Sequence, residues 1–147
     1  MGSEAAAEER TVGVVLVSHS RALAAAALEM ARQMAGTGAV RIETAAGVSG
    51  PDGADLLGTD ASAIAEAMQR ADDGAGVVVL TDLGSALLSA GLALDLLPDG
   101  LRDRVVVSPG PFVEGLMIAA IAAGTGAPLA SVAEQAGAAL LMKQSGA

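Results

Sequence analysis

Three short apolar runs constrain this chain more than any other feature: Val12–Val17, Val77–Leu80 and Val105–Val107. Each is rich in β-branched residues and nearly continuous, where a half-exposed strand would alternate with polar positions. Strands of that kind are covered on both faces. A fourth run, Val40–Ala45, alternates Val, Ile and Thr with Arg41 and Glu43 and belongs nearer a sheet edge. Helical segments lie between them. Ser20–Ala35 stops before Gly36, Asp60–Ala71 follows Thr59 as N-cap, and Ser85–Leu97 stops at Pro98. Val113–Ala123 and Leu129–Leu141 are separated by Gly124, Gly126 and Pro128. The order β-α-β-α-β-α-β-α-α predicts an α/β fold: a doubly wound, mainly parallel four-stranded sheet of order 2-1-3-4, with right-handed crossovers and helices on both faces. Its switch point falls between the first and third strands.

At 147 residues the chain fits one such domain. Residues 1–10, MGSEAAAEER, have no apolar period and read as a disordered or appended arm, so the domain is expected over residues 11–147. With Phe112 as the only aromatic residue, the core must be built from Ala, Val, Leu, Ile and Met. There is no cysteine, which excludes disulfides and thiolate metal sites and accords with a cytoplasmic protein. The uncharged stretch from Gly115 to Ala133 is long enough to span a bilayer, but its Gly/Pro break predicts two short buried helices without membrane insertion.

The net charge of −9 is concentrated between Glu43 and Asp103, where eleven acids face only Arg70 and Arg102. Nucleic-acid binding needs basic surface to displace counterions, so that class is excluded. The acidic segment fits either a solvated surface or a basic-rimmed protein partner. One loop is long, Gly47–Gly58, and it follows the second strand at the same end of the sheet.

In open α/β sheets, chemistry gathers at the carboxyl ends of the strands beside the switch point. The first strand ends in Val17-Ser18-His19-Ser20, and the third in Leu80-Thr81-Asp82, followed by Leu83-Gly84-Ser85 opening a helix. The 2-1-3-4 order therefore sets His19, the only histidine, beside Asp82. A neutral imidazole is a nucleophile at one nitrogen when a carboxylate holds the other. Backbone N–H groups opening the Ser85 helix, and those at Ser20, can hold an anionic phosphate, with Gly84 allowing close approach and Ser85 adding a hydroxyl. By position alone, His19 is as readily a polar loop residue or a cap, and Asp82 to Ser85 an ordinary strand-to-helix turn with a capping serine. Thr59 and Asp60 read as a helix cap first and a site wall second, and the methionines as core filler.

Other chemistries lack their residues. One histidine without cysteine leaves no transition-metal site, and Lys143, the only lysine, lies in the tail, so neither a P-loop nor a Schiff-base lysine is available. Gly36-Thr37-Gly38 and Gly124-Thr125-Gly126 follow helices, unlike dinucleotide loops. A hydrolase would have to pair Ser18, Ser20 or Ser85 with His19 and lacks a Gly-x-Ser-x-Gly elbow.

Four segments together resemble a known family: Val17–Ser20, Gly58–Asp60, Thr81–Ala90 (TDLGSALLSA) and Pro111–Gly115. They are similar to the mannose-type enzyme IIA family of the sugar phosphotransferase system, and within it to the phosphotransferase subunits of phosphoenolpyruvate-dependent dihydroxyacetone kinases. The similarity spans residues 12–142. It implies a phosphotransferase with a phosphohistidine intermediate, a homodimer in the cytoplasm and no cofactor of its own. The donor it implies is HPr, supplied as a separate protein. The acceptor it implies is ADP held on the nucleotide-binding subunit of the kinase. The alternative functions for the chain are an enzyme IIA component of a mannose-type sugar transporter and a non-catalytic flavodoxin-like regulatory module. His19 takes the place of the phosphorylated residue, at the nitrogen remote from the strand backbone. Asp82 matches the supporting aspartate and Ser85 the phosphate-side hydroxyl. Thr59 and Asp60 match a motif near the site, and Glu114 is matched without a catalytic role.

Overall fold

The structure is a computed structural model describing residues 10–36, 38 and 40–144. Apart from Arg10, the arm expected over residues 1–10 lies outside these residues. Strand β1 (Gly13–Ser18) is followed by helix α1 (Arg21–Ala35) and strand β2 (Ile42–Ala46). Two short strands, β3 (Val48–Ser49) and β4 (Asp55–Leu56), lead into α2 (Ala61–Ala71), β5 (Val77–Thr81), α3 (Gly84–Leu94) and the single turn α4 (Asp99–Arg102). Strand β6 (Val105–Val107), α5 (Phe112–Gly124) and α6 (Leu129–Gln144) complete the chain.

The main sheet runs β2-β1-β5-β6 and all its pairings are parallel, which is the order 2-1-3-4 counted along its four strands. Every residue of β1 is buried. Alternation explains the continuous apolar runs, because each strand feeds two cores. Val15, Val17, Val77 and Val79 pack with Ile64 and Met68 of α2 and with Ala86, Ala90 and Ala93 of α3. Val14, Leu16, Val78 and Leu80 face the opposite way, onto Ala27 and Ala31 of α1, Leu116 and Ala119 of α5, and Val132 and Ala136 of α6. Small residues line the helix faces, so the helices approach the sheet closely. A Cβ on Gly115 would stand 2.7 Å from Leu80 Cδ1, so only glycine lets α5 pass there without repacking.

Three expectations change in detail. The Gly47–Gly58 loop contains the antiparallel hairpin β3–β4, pairing Val48 with Leu56 and Ser49 with Asp55. Arg21, at the start of α1, holds this hairpin by donating to Asp55 and to Ser49 Oγ, the latter at 3.0 Å. The helix expected to reach Leu97 ends at Leu94, and a turn carries the chain to α4. Pro98 disfavours helical geometry in the residue before it, and the chain leaves the helix ahead of it. The N-cap of α2 is Asp60, whose carboxylate accepts from Ser62 N at 2.9 Å. Thr59 is thereby left for another contact. Among the described residues no helix is long and apolar enough to cross a membrane; the stretch after Gly115 divides into α5 and α6.

Candidate functional site

The site forms where β1 and β5 end. In a parallel ladder, residues in register point to the same face. Val17 pairs with Thr81, so one step further Ser18 and Asp82 share a face. Ser18 is fully buried, and its Oγ lies 3.0 Å from Asp82 Oδ2. The same carboxylate oxygen accepts the His19 backbone N–H at 3.0 Å. Oδ1 accepts Leu83 N–H at 2.7 Å and stands 3.0 Å from His19 Nδ1. Four donors thus converge on one carboxylate. Burial pushes the Asp82 carboxyl up, but the hydrogen bonds from the His19 backbone and ring, the Ser18 hydroxyl and the Leu83 N–H outweigh it, holding the group below the usual carboxylate range. It is therefore ionised at neutral pH and can only accept, so Nδ1 carries the proton.

In the neutral ring the other nitrogen is then an acceptor. His19 Nε2 lies 2.6 Å from Ser85 Oγ, so the serine donates its proton to the lone pair. The His19 side chain keeps 22% of its surface exposed while that of Asp82 keeps 9%, so the ring reaches solvent and the carboxylate that holds it is covered. Ser85 sits in the first turn of α3. The N-cap there is Leu83, with no side-chain cap, so Ser85 is not the capping serine of an ordinary turn. The first amide to find an intrahelical acceptor is Ala86, which bonds Leu83 O at 3.0 Å. The amides of Gly84 and Ser85 precede it, and a Cβ on Gly84 would meet nothing within 4 Å. An uncapped helix start with open space beside the imidazole is suited to an anion.

The remaining predicted residues sit around this centre in supporting positions. Ser20 is the N-cap of α1: its Oγ accepts from Leu23 N at 3.2 Å and its N–H donates to Ser18 Oγ at 3.0 Å. Its hydroxyl proton is left to donate. The Thr59 hydroxyl is hydrogen-bonded away from the imidazole. Its Oγ1 lies 2.6 Å from Ser89 Oγ, one turn beyond Ser85 on α3, while Gly58 N donates to His19 O at 3.0 Å. The segment 58–60 therefore ties the end of β1, the start of α2 and the middle of α3 together.

Two contributors escaped sequence reasoning. Ser89 lies within the TDLGSALLSA run but at no position a sequence pattern marks. Ser18 carried a signal: a polar residue closing a fully apolar strand must be partnered if it is buried.

The chain is similar to known proteins over almost its whole length. Residues 13–133 match the family described as PTS system fructose IIA component, EIIA-man. The phosphoryl donor subunit DhaM of the PEP-dependent dihydroxyacetone kinase of Providencia stuartii is 40% identical over 133 residues, which are 90% of this chain and 28% of that protein. The corresponding subunit of PEP-dependent dihydroxyacetone kinase 2 from Listeria innocua is 36% identical over 110 residues, covering 75% of this chain and 84% of that one. A crystal structure of a protein of unknown function superposes with a TM-score of 0.74 at 31% identity, covering 86% of this chain and 93% of its own. Relative to the Providencia protein, this chain corresponds to little more than a quarter of the length.

Proposed function

Because the chain belongs to the EIIA-man family, PTS system fructose IIA component, we propose that it carries a phosphoryl group on His19 Nε2 from HPr to ADP bound on the nucleotide-binding subunit of a dihydroxyacetone kinase. One observation supports this reading above the others: His19 is held between Asp82 on Nδ1 and Ser85 on Nε2, at the open start of α3.

In the first transfer the lone pair of Nε2 attacks phosphorus, and the bond to the donor breaks with its electron pair returning to the donor. Nδ1 keeps its proton throughout, so the phosphorylated ring is a cation beside the anionic Asp82. The Ser85 hydroxyl turns from Nε2 to a phosphoryl oxygen, and the amides of Gly84 and Ser85 supply fixed dipoles, with the Ser20 hydroxyl as a further donor. In the second transfer a terminal oxygen of ADP attacks phosphorus, the N–P bond breaks, and neutral imidazole is regenerated. No metal held by this chain is needed, since positioning and charge stabilisation carry phosphoryl transfer. Thr59 and Asp60 wall the site from the hairpin side.

Both transfers require another protein to meet His19. Leu57, Leu83 and Leu88 are 78%, 61% and 73% exposed and lie within a residue or a helical turn of the hydrogen-bonded group. Exposed leucines beside a nucleophile favour a macromolecular partner over a free small substrate. The same reading takes the carrier as a cytoplasmic homodimer.

Incubation with phosphoenolpyruvate, enzyme I and HPr should add one acid-labile phosphoryl group per chain by intact mass. Subsequent addition of the kinase nucleotide-binding subunit with ADP should discharge it. Discharge only to a sugar-transporter component would move the acceptor to sugar uptake, and no uptake of phosphoryl at all would leave a regulatory module.

A further inference from the structure

The hydrogen bonds at the site have directions, and one of the donors that hold Asp82 is a buried hydroxyl. Ser18 Oγ is within hydrogen-bond distance of two partners, Ser20 N and Asp82 Oδ2, each at 3.0 Å. Ser20 N–H can only donate, so it occupies a lone pair of the Ser18 hydroxyl. The ionised Asp82 can only accept, so the Ser18 proton points at Oδ2. With His19 N–H on the same oxygen and Leu83 N–H on Oδ1, the carboxylate cannot rotate. Oδ1 is thereby presented to Nδ1.

We propose that Ser18 is a positioning residue for phosphoryl transfer: its buried hydroxyl, oriented by the Ser20 amide, fixes Asp82 so that His19 keeps the Nδ1–H tautomer and offers Nε2 as a bare lone pair. The consequence for reactivity rests on the functional reading above, whereas the tautomer does not. The relay runs Ser20 N–H, Ser18 O–H, Asp82, His19 Nδ1–H, with Ser85 O–H closing it at Nε2. Ser18 is fully buried and therefore acts only through Asp82. Its main alternative is that of a polar residue that merely satisfies the first turn of α1.

Ser18→Ala and Ser18→Thr separate the two. The imidazole nitrogens of His19, the only histidine, can be read by 15N NMR without any relay protein. In Ser18→Ala the Nε2–H tautomer should rise several-fold from its wild-type share, and the rate of phosphoryl uptake from HPr should fall about tenfold, the scale of one hydrogen bond to a charged group. Ser18→Thr keeps the hydroxyl and should restore both. A tautomer ratio unchanged in Ser18→Ala overturns the inference, as does a Thr variant shifted as far as the Ala variant, which would make the effect one of packing. If the wild-type chain takes up no phosphoryl group, the functional reading fails while the tautomer ratios still decide the role of Ser18.

Discussion

A His19→Ala chain is expected to take up no phosphoryl group from HPr while melting within a few degrees of the wild type. The two halves of that expectation have different origins. Chemically, the variant lacks the only imidazole in the sequence, and neither serine can replace it, because the base beside Ser85 is the lost ring itself and Ser18 is fully buried. Structurally, the ring is partly exposed and belongs to neither apolar core. Asp82 still accepts the backbone amides of residue 19 and Leu83 together with the Ser18 hydroxyl. Surface substitutions away from such cores change stability by roughly half a kcal/mol. The check is intact mass after the relay beside a thermal melt. Retained labelling would place the phosphoryl elsewhere, and a collapsed melt would make the histidine a structural residue.

Asp82→Asn has the second largest expected effect. An amide has one oxygen where the carboxylate has two, and all four of its neighbours donate. Whichever way it turns, its NH2 meets donors. With NH2 on the Leu83 side, the imidazole is driven to accept at Nδ1 and carry its proton on Nε2, where no lone pair remains for phosphorus. With NH2 on the other side, it meets the His19 amide, and the cationic phosphorylated ring still lacks a countercharge. The analogous change in a serine-protease triad costs roughly ten-thousand-fold. Transfer from phosphorylated HPr to Asp82→Asn should therefore slow by roughly a hundred- to ten-thousand-fold, measured by rapid-quench labelling. A wild-type rate would remove Asp82 from the mechanism.

These residues were legible in the sequence because of where strands end. The runs Val12–Val17 and Val77–Leu80 announced strands buried on both faces, and alternation with helices fixed their adjacency, so His19 and Asp82 met without any pairwise signal. Local chemistry was less legible. Thr59 has good capping chemistry, yet Asp60 caps α2, because two adjacent residues both suit the position and the tertiary contact to Ser89 decides between them. The hairpin β3–β4 has two-residue strands, too short for alternation to show. Its position depends on Arg21, which lies 34 residues from Asp55. The apolar sequence of α3 does not show which of its faces is buried. Its inner face is Ala86, Ala90 and Ala93, while Leu88 and Leu92 are exposed. Composition cannot distinguish a buried apolar helix from one whose outer face is kept for a partner.

The most direct test locates the phosphorus atom. Nitrogen-15 and phosphorus-31 NMR of the chain phosphorylated through HPr should show an N–P bond at His19 Nε2 with Nδ1 still protonated. Phosphorus bonded to Nδ1, or an acid-stable ester at Ser85, would contradict the assignment of Asp82 as the holder of one ring nitrogen and Nε2 as the nucleophile.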